Sequence, residues 1–312
     1  MPDVCHEMCC DKKQLWTVFN IVLTGCRKKV HVLAITAEDE KTMFTGKKVA
    51  IIGGGKMGGI LARGMITSKI LSAQNITVTD IDPARLDDLR SSLKVQVTAD
   101  NKKAVKDADI IILAVKPQNF PETLKEIRLV ATPSKLFISI AAGVTTDCIE
   151  KALSKTPRVL RAMPNVAALV GEGTAAVARG HFARKDDVQY ALAILNAVGL
   201  AVEVDEKLMD AVTGLSGSGP AYCFLIIEAL TDAGVQLGLT RDLAEKLAAQ
   251  TMLGSARLCL TSKQHPAQLK NMVTSPGGTT AAGLKVLEEG KIRATLMAAV
   301  EAAAKRAKEL AG

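Results

Sequence analysis

From Lys47 onward, short unbroken apolar runs alternate with longer stretches in which apolar residues recur every three or four positions. Val49-Ala50-Ile51-Ile52 is the first run, and no polar residue interrupts it, as expected of a strand buried on both faces. Ile76-Thr77-Val78-Thr79-Asp80, residues 95–98, Ile110-Ile111-Ile112-Leu113-Ala114-Val115, Leu136-Phe137-Ile138-Ser139-Ile140 and Arg158-Val159-Leu160-Arg161-Ala162 continue the series. Helices are predicted over about 56–69, from Pro83, whose ring suits a first helical turn, and over 101–107. Strands separated by helices imply a parallel, doubly wound sheet. Two further strands, 173–179 and 200–204, flank a helix at 186–197.

After Asp205 the period becomes helical throughout, over about 206–237, 241–260, 266–272 and 291–310. The last of these follows from alanine content alone. Two stretches interrupt it. Residues 214–222, GLSGSGPAY, place three Gly and a Pro where a helix interior tolerates neither, predicting an interrupted helix or a close approach of another backbone. Residues 273–280, VTSPGGTT, end one helix at Pro276 and begin the next with two Thr hydroxyls. The expected fold class is α/β: a Rossmann-type, mostly parallel sheet over 46–205, then an all-helical domain over 206–312. A helical domain showing so much Ala, Leu and Ile predicts packing against a second copy.

Composition narrows the classes. Of 312 residues, 48% are hydrophobic and 23% charged, ordinary for a soluble globular protein, and 3% aromatics leave the core to Ala, Val, Ile and Leu. The net charge of +8 is spread among interleaved acids, which argues against nucleic acid as a partner. No apolar stretch is long enough to span a bilayer, so no membrane role is expected. Residues 1–45 read differently from the rest. Cys5-His6 and Cys9-Cys10 lack a second ligand pair at metal-site spacing, so no metal is expected. The segment reads as an extension of unknown role, with Met43 as the expected start of the functional domain. Cys148, Cys223 and Cys259 sit among apolar neighbours and are expected to be buried. A reducing, cytoplasmic compartment fits this usage.

The first turn carries the chemistry. Gly53-Gly54-Gly55-Lys56-Met57-Gly58 fits G-x-G-x-x-G, follows a buried strand and opens a helix, and Asp80 ends the next strand 22 residues after Gly58. Gly53 permits the tight turn, Gly55 lets backbone approach a pyrophosphate, and Gly58 allows close helix–strand packing. The helix N-terminus supplies free N–H groups and a positive dipole end for phosphates. A carboxylate at Asp80 suits ribose hydroxyls and favours NAD, while Arg85 stands near enough in sequence to meet a 2′-phosphate instead.

These pieces, followed by Ala114-Val115-Lys116-Pro117, Ser139-Ile140-Ala141-Ala142-Gly143-Val144, Arg161-Ala162-Met163-Pro164-Asn165, residues 214–222, His265-Pro266 and Ser275-Pro276-Gly277-Gly278-Thr279-Thr280, stand in one order. Over residues 47–310 the chain resembles the pyrroline-5-carboxylate reductases, which catalyse the last step of proline biosynthesis. The resemblance implies that Gly53, Gly55, Lys56, Met57, Gly58, Asp80, Asn101, Ala114, Val115, Lys116, Pro117, Ala141 and Ala142 line NADPH or NADH. It implies that Ser275, Gly277, Gly278, Thr279 and Thr280 hold the carboxylate of 1-pyrroline-5-carboxylate. Thr280 is the expected catalytic residue, facing the imine nitrogen as proton relay or orienting group. Tyr222 and His265 are expected to be structural. The implied assembly is a homodimer, with a higher oligomer of dimers left open. Two other readings compete. A β-hydroxyacid dehydrogenase would carry a catalytic Lys early in the helical domain, and residues 208–243 contain none. A non-catalytic dinucleotide sensor would not need the Thr/Gly turn.

Overall fold

The computed structural model describes residues 42–154 and 156–311, and the cysteine and histidine pairs near the N-terminus lie outside them. The apolar runs become strands β1 (Val49–Ile52), β2 (Ile76–Thr79), β3 (Gln96–Thr98), β4 (Ile110–Leu113), β5 (Leu136–Ser139) and β6 (Arg158–Met163). Two more, β7 (Gly173–Arg179) and β8 (Gly199–Glu203), complete a sheet of order β3-β2-β1-β4-β5-β6-β7-β8. The first six are parallel, in the Rossmann order 3-2-1-4-5-6. Strand β7 runs against β6, and β8 runs with β7. Every residue of β1, β4 and β5 is buried, as their unbroken apolar runs required.

Helices α1 (Lys56–Thr67), α2 (Pro83–Leu93), α3 (Asn101–Asp107), α4 (Phe120–Ile127), α5 (Thr146–Leu153) and α6 (Lys185–Asn196) connect the strands. Strand β4 stops at Leu113, two residues before the apolar run ends. There its neighbours stop too, with Ile52 and Ser139 paired to Leu113 on either side. Ala114 N–H still donates to Ile52 O (2.8 Å), and beyond that rung the ladder ends. Because β2 lies to one side of β1 and β5 to the far side of β4, a crevice opens between the ends of β1 and β4, where open α/β sheets take ligands.

The helical part begins with α7 (Met209–Val212), passes through a π turn (Thr213–Gly217), and continues as α8 (Gly219–Gln236). Then come α9 (Arg241–Ser262), α10 (Pro266–Met272), α11 (Thr279–Glu289) and α12 (Ile292–Ala311). Both expectations for the glycine-rich break hold. The helix is interrupted by the π turn, and α12 approaches it closely: a Cβ on Gly214 would stand 2.6 Å from Val300 O and 2.9 Å from Ala304 N. The cysteine expectation fails. Cys148 and Cys223 are exposed and Cys259 is half-buried. Cys148 follows the N-capping Thr145 on the outer side of α5, and Cys223 lies on a face of α8 that this chain leaves uncovered, so apolar neighbours in sequence did not mean apolar neighbours in space. Among the described residues no helix is long and apolar enough to cross a membrane.

Candidate active site

The three motif glycines are separated by the structure into three roles. Gly53 has φ +107, and a Cβ there would meet Ala114 C and O at 2.8 Å, so β1 and β4 touch through it. A Cβ on Gly58 would run into the carbonyl oxygen of Gly53. Gly55 faces no protein atom within 4 Å, so its surroundings are open. Gly55 is also the N-cap of α1, with no side chain capping the first turn and no acid in it. Lys56, at the first helical position, therefore adds positive charge to the positive end of the helix dipole. That arrangement is unfavourable alone and favourable around an anion, so the turn fits the pyrophosphate of a dinucleotide.

Asp80 follows β2 beside this turn, its Oδ2 3.4 Å from where a Gly54 Cβ would be. Its side chain is almost fully buried, and both oxygens are engaged. Asp82 N–H donates to Oδ1 (3.0 Å) and Arg85 Nη1 to Oδ2 (3.1 Å). Arg85 itself is about half exposed. Asn101, the first residue of α3, accepts from Thr79 Oγ1 (2.6 Å) and donates from Nδ2 to Glu126 Oε2 (2.9 Å). Its amide is thus fixed between β2 and α4. Ala114 and Val115 are half-buried where β4 ends, and Lys116 and Pro117 are exposed beyond them. Ala141 is buried and Ala142 half-buried just past β5. The methyl side chains of Ala114, Ala141 and Ala142 leave the crevice wall low at those positions. The glycine turn, Asp80, Asn101, Ala114 and Ala141 thus share one edge of the sheet.

Residues 275–280 are held elsewhere, on the helical part. Met272 ends α10, and Gly277, at φ +65, turns the chain into α11. The N-cap of α11 is Gly278, and no side chain caps the helix. A Cβ on Gly278 would collide with Ser275 Oγ, so the serine hydroxyl lies directly over the turn. Thr279 and Thr280 are the first two helical residues, so neither hydroxyl is consumed as a cap. Hydroxyls and free N–H groups meet at one helix start, which suits a carboxylate. Among the described residues no hydrogen bond or ion pair joins 275–280 to the sheet, so one chain does not bring this turn and the crevice together through such a bond.

Two further side chains of the helical part bond to backbone around them. His265 is the N-cap of α10, with Ala267 N–H donating to Nδ1 (3.2 Å) and Gln268 Oε1 accepting from its own N–H (3.1 Å). Tyr222 Oη stands 3.3 Å from Gly214 O and 3.4 Å from Ala299 O, pinning the π turn to α12. The sequence reading missed one junction. Glu206, in the first turn after β8, accepts from Thr146 N–H (2.7 Å) and from Thr146 Oγ1 (2.5 Å). The signal was present as a charge, Arg161, in the middle of β6 with apolar residues on both sides.

A glycine turn at the crevice of a 3-2-1-4-5-6 sheet, followed by a helical appendage, defines a Rossmann-type dinucleotide-dependent oxidoreductase. A sequence profile described as pyrroline-5-carboxylate reductase dimerisation matches residues 206–310, and one for an NADP oxidoreductase, coenzyme F420-dependent, matches residues 48–143. The pyrroline-5-carboxylate reductase of Methanosarcina acetivorans is 48% identical over 264 residues, 85% of this chain and 98% of that protein. That of Arabidopsis thaliana is 44% identical over 263 residues, 84% of this chain and 95% of that protein. The Coxiella burnetii structure superposes with a TM-score of 0.81 at 41% identity, covering 85% of this chain and 99% of that one. The Plasmodium falciparum structure, with NADP bound, gives 0.78 at 35% identity, covering 86% and 99%. The chain belongs to the pyrroline-5-carboxylate reductase family.

Proposed function

We propose that the protein reduces the C=N bond of 1-pyrroline-5-carboxylate to give L-proline, using NADPH or NADH. Residues 46–205 bind the dinucleotide, and 206–312 bind substrate and form the dimer. The reduced nicotinamide supplies a hydride to the imine carbon when bound. The chain's own work is positioning. The α1 N-terminus and Lys56 hold the pyrophosphate, while Ala114 to Pro117 and Ala141-Ala142 leave room for the nicotinamide ribose. Ser275 and the turn N–H groups of Gly277 to Thr280 hold the substrate carboxylate. Thr280 Oγ1 orients the imine nitrogen; the protonated C=N group accepts hydride at carbon more readily than the neutral imine, and its π pair passes to nitrogen, which becomes the ring secondary amine.

The observation that carries this reading is the α11 start, where Gly278 rather than a threonine is the N-cap and both threonine hydroxyls are left available. A homodimer is supported by the large apolar side chains that one chain leaves exposed on the helical part, Leu237, Met297 and Leu215 among them. The exposed thiols of Cys148 and Cys223 suit a reducing compartment such as the cytoplasm. The deciding assay follows oxidation of NADH and of NADPH in the presence of 1-pyrroline-5-carboxylate. Turnover with at least one cofactor is expected, and none with either overturns the proposal.

A further inference from the structure

Arg161 is a guanidinium in the middle of β6 with only 4% of its side chain exposed. Such a charge is costly to bury unless it is paired. It stands level with Ser139, the last residue of β5, two positions before Ala141. Glu206 and Asp210, one helical turn apart, reach it from the start of the helical part, at 3.8 Å each. Neither pair is a hydrogen bond, and Arg161 Nη2 and Asp210 Oδ1 are both buried without a hydrogen-bond partner. Charge rather than direct bonding holds this grip. The Glu206 carboxylate is spent on Thr146 instead, accepting from its N–H and its hydroxyl. Thr146 is the first residue of α5, so it anchors the far end of residues 140–145, the loop that contains Ala141 and Ala142. A second tie runs in parallel, from Asn165 Nδ2 to Ser216 O in the π turn (3.0 Å).

We propose that Glu206, backed by Arg161 and Asp210, is a positioning residue for the dinucleotide: it fixes the 140–145 loop through Thr146 and so couples the helical part to the cofactor edge. The inference rests on the reading that this edge takes NAD(P)H. Glu206 touches neither cofactor nor substrate. Its carboxylate, oriented by the buried guanidinium, sets where the loop's alanines stand.

The test measures NADPH affinity by the fluorescence of the bound dinucleotide, in protein without substrate, alongside melting temperature. Glu206→Ala should weaken NADPH binding by about 10-fold, the scale on which small misplacements of a binding element are felt. Thr146→Val removes the hydroxyl bond and keeps the backbone one, so it should give a smaller loss in the same direction, and the double variant no more than Glu206→Ala alone, because both act on one link. Thr146→Ser, which keeps the hydroxyl, should restore binding. NADPH affinity within two-fold of wild type in Glu206→Ala, with only a lower melting temperature, would make the junction merely structural and overturn the proposal. Losses that add fully in the double variant would overturn it as well. Since no substrate is present, these outcomes are independent of whether 1-pyrroline-5-carboxylate is turned over.

Discussion

Arg85 Nη1 lies 3.1 Å from Asp80 Oδ2, closing an ion pair at the end of β2 beside the glycine turn. The acid is buried and the base half exposed, so the arginine is the mobile partner. A ribose 2′-hydroxyl can share Asp80 with Arg85, because each carboxylate oxygen accepts more than one bond. A 2′-phosphate must draw Arg85 away from Asp80 and bear the repulsion that remains.

Cofactor choice should therefore split between the two residues. Arg85→Ala is expected to lower kcat/KM for NADPH by about 10-fold, roughly 1.4 kcal/mol, with a much smaller effect on NADH. Asp80→Ser should move the NADPH-to-NADH ratio of kcat/KM upward by a similar factor. Equal losses with both cofactors would remove the pair from discrimination.

Gly55 and Gly58 should respond differently to the same methyl group. Gly58→Ala forces a carbon into the Gly53 carbonyl and is expected to cost about 1–3 kcal/mol of stability. Gly55→Ala meets no protein atom, so its melting temperature should hold while NADPH binding weakens. Thermal melts paired with a dinucleotide titration check both.

Thr280→Ala is expected to lower kcat/KM by about 10-fold or more, roughly 1.4 kcal/mol of transition-state stabilisation. Thr280→Ser should retain most of it, since the hydroxyl is the working group. Because Thr280 does not cap α11, helix stability should not fall with activity. An unchanged kcat/KM in the alanine variant takes Thr280 out of the mechanism.

Phe224 and Leu225 project from α8, each about two-thirds exposed in one chain. If the proposed dimer forms through this face, Phe224→Asp shifts it toward monomer at equal concentration. Sedimentation velocity reads this directly, and an unchanged sedimentation profile would place the interface elsewhere.

Glu150 on α5 gives a pH signature. Desolvation raises its pKa above the ordinary 4.5, against backbone hydrogen bonds from Phe182 and His181 that lower it. A raised pKa in the folded protein means that this group stabilises the fold most when protonated, and that the contribution is lost as pH rises through the folded value. Glu150→Gln keeps an acceptor for Phe182 N–H and removes the charge. It should raise Tm at neutral pH, with the gain shrinking as the pH falls toward 4.5. A gain independent of pH would assign the effect to something other than ionisation.

Much of this architecture is written locally. Unbroken apolar runs placed β1, β4 and β5, and Pro83 placed the start of α2, because such signals act over a few residues. The direction of β7 was not read from the sequence, although the spacing carried it. Only nine residues separate Met163 from Gly173, too few for a parallel crossover of a dozen or more. The exposure of Cys223 and the ties of Asn101 and Glu206 were not legible. The two ties depend on partners far along the chain, Glu126 for Asn101 and Thr146 for Glu206. Sequence spacing could nominate the glycine turn and the α11 start separately, but it could not show that one chain leaves them unbonded to each other.

The π turn at Thr213–Gly217 sets a rotational phase. An α-helix advances about 100° per residue and the wider i→i+5 π turn advances less, so winding the same five residues as ordinary α-helix would swing all of α8 by roughly a quarter of a revolution. Tyr222 would leave Gly214 and Ala299, and Phe224 and Leu225 would point in a new direction. The one extra residue that the wider turn takes up therefore decides which side of the eighteen-residue α8 this chain turns outward.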